Sequence, residues 1–202
     1  MVFDPTQPHD DLPYLPPRED LETKAVLKRA LTASRAVAEL KGAGGLIPDQ
    51  AILINAIPLQ EAKLSSEIEN IVTTQDKPQY YRRLRAVTEE GEWEAWLVYM
   101  LQGLEETAIW TTGRIRAIRD LLGATVDRCR REIPKVYSKE LVDLIFRLPY
   151  CKISFVVDAG IAKRQAASEY LQELERIGVL EGEKRGREVV YRHPALVKIL
   201  AE

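Results

Sequence analysis

Few residues in this 202-residue chain can carry redox or metal chemistry. It holds two cysteines, Cys129 and Cys151, and two histidines, His9 and His193. Two cysteines build neither a disulfide framework nor a four-thiolate site, and so small a His/Cys complement argues against zinc. No metal site and no cofactor are expected. Uncharged apolar runs are short: Gln50–Gln60 and Ala95–Leu104 fall well below the roughly 18 residues of a membrane span. The opening MVFDPTQPHDD has no basic or apolar leader, so no secretory signal is expected and a reducing cytoplasm is the expected compartment. No glycine-rich nucleotide loop of the G-x-G-x-x-G or Walker type occurs.

What is present is an ordinary globular composition, 46% hydrophobic and 30% charged, which excludes disorder as the dominant state. The formal net charge of −2 conceals an asymmetry. Residues 1–113 carry 11 Lys/Arg against 18 Asp/Glu, whereas residues 114–202 carry 18 against 13. An anionic partner therefore belongs to the second half, although the excess is modest for a nucleic-acid binder.

Five prolines in the first 20 residues suggest an extended arm. Asp20 is then expected to cap a helix from Leu21 to about Lys41, with Leu27, Ala30, Leu31, Val37 and Leu40 as its apolar stripe. Pro48 and Pro58 punctuate two further helices, Asp49–Ala56 and Leu59 to about Thr73. Asp76-Lys77-Pro78 reads as a breaker before a basic-then-acidic helix, Tyr80–Glu90. From Trp93 an apolar series at steps of three, four and seven reaches Cys129, which means one long helix or a helix pair ending before Pro134.

The last third changes character. Ser138 is expected to cap a helix to Arg147. Helices Ile153–Ala159 and Ala162–Ile177 follow, stopped at Gly160 and Gly178. Val179–Glu181 and Arg187–Tyr191 read as strands around a Gly182–Gly186 turn, and His193-Pro194 opens a last helix. Helices followed by a hairpin are the order of a winged helix-turn-helix. The fold class expected is thus mostly α: a helical bundle, then a winged helix-turn-helix with a two-stranded β-hairpin wing. The expected division is 1–76, 77–135 and 136–202.

Neither histidine lies beside a nucleophile, so Ser-His-Asp or Cys-His catalysis lacks a base. His193 is expected at the surface, and both cysteines as small core residues. In the helix Ala162–Ile177, Lys163, Arg164, Gln165 and Ser168 occupy the N-terminal positions that face a DNA groove in winged helices, and Lys184, Arg185 and Arg187 at the wing suit phosphate. Against this, residues 138–202 carry 11 basic and 10 acidic residues, and winged helices also dock proteins. The basic run Arg114–Lys135 reads as a solvated helix face.

Three stretches carry a family resemblance: LPYLPP with LINAIPLQEAKLSSEIENIVTT, then YYRRLRAVTEEGEWEAWLVYMLQGLEETA, then LIFRLPYCKI with VDAGIAKRQAASEYLQELERIGVLEGEKRGREVVYRHP. They resemble, in turn, the N-terminal domain, the helices after the catalytic core and the C-terminal winged helix of the Fic AMP-transferases. Within the first, Ser65-Ser66-Glu67-Ile68-Glu69-Asn70 fits that family's inhibitory pattern, [S/T]-x-x-x-E-[G/N], and i,i+4 spacing puts Ser65 and Glu69 on one helix face. The resemblance implies that Glu69 would pair with an active-site arginine; the plain alternative is a solvated glutamate.

The family's catalytic signature, H-x-F-x-x-G-N-x-R-x-x-R, is absent. With it go the general base, the acid that holds Mg²⁺, the Gly-Asn anion nest and the phosphate-binding arginines. Only Gln75–Gln79 separate segments that normally flank the catalytic block. The sequence therefore reads as a non-enzymatic, regulatory or binding relative of Fic proteins. Two alternatives stay open: AMP transfer by family membership alone, and inhibition of an intact Fic enzyme in trans through Leu59–Thr73. Expected partners are duplex DNA, an intact Fic protein or a second copy of the chain, and no membrane.

Overall fold

The computed structural model describes residue 17 and residues 20–47, 49, 52–53, 76–186 and 188–201. Helix α1, Lys24–Ala43, is capped by Thr23, whose side chain accepts the Val26 N–H at 3.3 Å. Asp20 was the expected cap. It accepts instead from the Glu22 N–H, one turn too early. The buried positions are Val26, Ala33, Ala36 and Ala43, while Leu27 and Leu31 are more than half exposed. The expected stripe is therefore rotated. Small alanines let the neighbouring helix approach closely, and the larger leucines are left on the flank.

Helix α2, Asp76–Glu90, begins at the tripeptide read as a breaker, with Pro78 in its first turn, where a missing N–H costs nothing. Gly91, at φ 71°, reverses the chain into α3, Trp93–Glu132. α3 is one helix of 40 residues, about 60 Å long, which settles the choice between one helix and two. Arg29 and Thr32 of α1 meet Glu105, and Glu39 meets Arg116, so α1 and α3 run in the same direction. The Glu105 carboxyl is held below its usual range by the hydrogen bonds from Thr32 and Arg29.

The last third contains α4 (Lys139–Ile145), β1 (Tyr150–Lys152), α5 (Ile153–Asp158), α6 (Arg164–Arg176), β2 (Glu181–Arg185), β3 (Glu188–Arg192) and α7 (Pro194–Ala201). Ser138 caps α4 as its sequence suggests, accepting from the Leu141 N–H at 3.1 Å. The sheet is antiparallel in the order β1-β3-β2, so the hairpin carries a third strand that the sequence does not announce. Tyr150-Cys151-Lys152 is too short and too close to Pro149 to display periodicity, and it becomes a strand only by pairing with Arg192, Tyr191 and Val190.

The hairpin also sits later than expected. Val179 and Leu180 are buried core residues, and the strand runs through the glycine-rich stretch read as a turn. Pairing of Arg185 with Glu188 confines the reversal to two residues, and Gly186 at φ 64° supplies the left-handed conformation that such a tight loop needs. One core joins the parts: Ile115, Ile118 and Cys129 of α3 pack with Leu141, Val156, Leu171, Tyr191 and Leu196.

Candidate nucleic-acid interface

α6 is strongly amphipathic, with Ala167, Leu171 and Leu174 buried and its other side turned to solvent. Its start is open. Lys163 stands at the N-cap position with extended backbone and no side-chain cap, and Lys163, Arg164 and Gln165 are exposed. Ser168, one turn on, is half-buried. Gln165 Nε2 reaches Glu169 at 3.4 Å, and Ser168 Oγ accepts from Gln172 at 3.5 Å, both at the long limit of a hydrogen bond. These side chains are therefore lightly held.

The wing cations Lys184 and Arg185 lie on opposite faces of the hairpin. Strand pleating puts alternate residues on opposite faces. Register sets Lys184 against Val189, on the face of Gly182, whose N–H donates to Glu175 of α6 at 2.9 Å. Arg185, set against Glu188, lies on the other face with Lys152 and Val190. Arg187 lies outside the described residues, as do Ser65, Glu69 and Asn70 and the whole segment Leu59–Thr73.

Arg185 shares a hollow of about 290 Å³ with Tyr150, Lys152, Glu188 and Val190. The Glu188 carboxyl is held low first by the hydrogen bond from Lys152, then by that ammonium's charge, with a smaller contribution from Arg164. The start of α6 and the base of the wing are therefore electrostatic neighbours. Lys152 is a cation the sequence reading missed, because its position at the surface depends on β1, which only tertiary pairing creates.

Most cations here are balanced. Arg185 pairs with Glu183 at 3.1 Å, Lys152 with Glu188 at 2.8 Å, Arg192 with Glu181 at 2.7 Å and Arg176 with Glu173 at 2.8 Å. Such surface pairs are worth about 0–1 kcal/mol each, so a phosphate can displace a carboxylate at small cost. Lys163 and Lys184 make no ion pair among the described residues.

Among the described residues, the two cysteines and the histidine are withdrawn from solvent. Cys129 and Cys151 are buried; burial raises both thiols, that of Cys151 to about 12. His193, expected at the surface, is 2% exposed. It is the N-cap of α7: its Nδ1 accepts the Leu196 N–H at 3.3 Å, its ring meets Phe146 edge-on, and burial pulls its pKa down to about 4. Pro194 takes the first helical position, which leaves His193 before it as the N-cap. Among the described residues, no group of three or more His, Cys, Asp or Glu side chains is placed to hold a metal ion, and no helix is long and apolar enough to cross a membrane.

Comparison with known families adds two matches. Residues 27–100 match the Fic/DOC family N-terminal model, and residues 121–196 match the C-terminal domain of SoFic-like protein adenylyltransferases. The chain belongs to the Fic family. The Fic N-terminal match covers α1, α2 and the first turns of α3. The C-terminal match takes in the last turns of α3, the strands and the start of α7. A single helix thus links the two Fic-type stretches.

Proposed function

We propose that this Fic-family chain is a catalytically silent binding protein whose C-terminal module engages duplex DNA weakly. The observation that carries the reading is the exposed Lys163-Arg164-Gln165 start of α6, with Lys163 and Lys184 both exposed and in no ion pair among the described residues. That helix end suits groove entry, and Lys184, Arg185 and Arg187 suit phosphate contact on its flanks. Silence is supported by the missing catalytic signature and by His193, whose lone-pair nitrogen is committed to a helix cap. Electrophoretic mobility shift at two salt concentrations tests the binding. Four neutralised phosphates give a log-affinity against log-salt slope of about −3 to −4. Arg185→Ala with Lys184→Ala should weaken binding on every sequence alike, and Gln165→Ala should relax sequence preference. Absence of a complex at low salt, or one indifferent to these changes, refutes the reading.

A second reading rests on the Ser65-Ser66-Glu67-Ile68-Glu69-Asn70 motif, which lies within the Fic N-terminal match. In this reading the segment restrains an intact Fic enzyme in trans through the Glu69 carboxylate. With labelled ATP and Mg²⁺ the chain alone transfers no AMP, and added to an active Fic enzyme it lowers transfer. Equal inhibition by Glu69→Gln would exclude that role.

A further inference from the structure

α2 has its charges segregated along its length. Arg82, Arg83 and Arg85 occupy its middle, and Glu89 and Glu90 its end, with Glu92 just beyond. Together with Ala86 and Ala95 these residues line a hollow of about 460 Å³ between α2 and the start of α3. One end of the hollow is cationic and the other anionic. Among the described residues these charges make a single ion pair, Arg85 to Glu89, 3.9 Å long and largely exposed. Arg83 Nε is buried and meets no acceptor among the described residues. The neighbouring face of α2 is apolar and open, since Tyr81 is 61% and Leu84 40% exposed, and i,i+3 spacing places them side by side.

We propose that this face is a homodimer interface in which α2 packs antiparallel against α2 of a second copy. The argument is charge complementarity. A helix whose first charged half is basic and second half acidic repels itself in parallel but complements itself under a two-fold axis. That axis, passing between Arg85 and Ala86, sets Arg82 of each copy against Glu89 of the other, with Leu84 beside the axis and Tyr81 flanking the charged pair. An unrelated partner would require its own matching pattern, whereas a second copy carries it by construction. The inference goes beyond the DNA-binding reading and does not depend on it.

The test uses the full chain in sedimentation velocity over a wide concentration series, with circular dichroism as a check on folding. Wild-type protein should be dimeric and should dissociate as salt rises. An acidic variant (Arg82→Glu, Arg85→Glu) and a basic variant (Glu89→Arg, Glu90→Arg) should each dimerise at least about tenfold more weakly, while their equimolar mixture should form a heterodimer. Should either double variant lose helicity, Arg82→Glu and Glu89→Arg read the same way singly. A monomeric wild type, or reversed variants that self-associate as wild type does, overturns the proposal and leaves the face to another occupant.

Discussion

His193 shows how a single side chain changes meaning with its surroundings. In the sequence it precedes a proline near the end of a hairpin and reads as a solvated ring. In the fold it is a neutral cap, and its buried Nε2 meets no hydrogen-bond partner among the described residues. Protonation would remove the Nδ1 lone pair from the Leu196 N–H and place a charge against Phe146. The unfolded chain takes up a proton near pH 6.5, whereas the folded ring resists until about pH 4. Stability is therefore fully present above pH 6.5 and falls as pH drops from there to about 4, by about 3 kcal/mol in all. Denaturant titrations at several pH values should show that slope. His193→Asn keeps a good N-cap and no titrating ring, so its profile should be flatter across the same window, at a lower plateau because the ring volume is lost. An unchanged slope would remove His193 as its cause.

Element boundaries show where local chemistry speaks and where it is overruled. Ser138 before Lys139 is a local signal, and it caps α4 as read. At α1 the sequence points to Asp20, and the chain uses Thr23, three residues later. Thr23→Ala should accordingly cost about 1 kcal/mol, seen as a lower urea midpoint with an unchanged m-value, whereas Asp20→Ala should be nearly neutral. The reverse result would restore the sequence reading. The long periodic signal of α3 was legible as helix though not as one helix rather than two, that of α1 was rotated, and Gly178 closes α6 where expected. β1 was not legible, because three residues cannot show alternation, and β2 was displaced because Gly182 and Gly186 outweigh Glu183-Lys184-Arg185 in any local reading. The exposure of Lys163, Arg164 and Lys184 was legible in the sequence, and the place of Lys152 was not. Nor was the division of Lys184 and Arg185 between two sheet faces, since register is a property of the pairing.

At the scale of the molecule the question is whether the two Fic-type stretches behave as one body. α3 decides it. Arg114, 8% exposed, stacks over Trp110 at 3.6 Å and donates from Nη1 to the carbonyl of Ile199 in the last turn of α7. A guanidinium at a helix C-terminus meets the negative end of its dipole, and a hydrogen bond to a charged group contributes about 1.5–3 kcal/mol. Ile115, the next residue, and Ile118, one turn further, enter the core shared with α4 and α6. Loosening the C-terminal module therefore strips the middle of α3, and loosening α3 exposes Leu196 and Leu200. Two reporters at opposite ends can check this. Trp93, Trp96 and Trp110 report on the first half of α3, and labelling of Cys151, inert while buried, reports on the opening of β1. In a denaturant series both signals should change at one midpoint. Arg114→Met keeps the stem and its contact with Trp110 but deletes the tie to α7, and should lower both midpoints together by the equivalent of about 2 kcal/mol. If Cys151 became reactive well before the tryptophan signal moved, the winged module would be an independent unit, and α3 merely the linker between two domains.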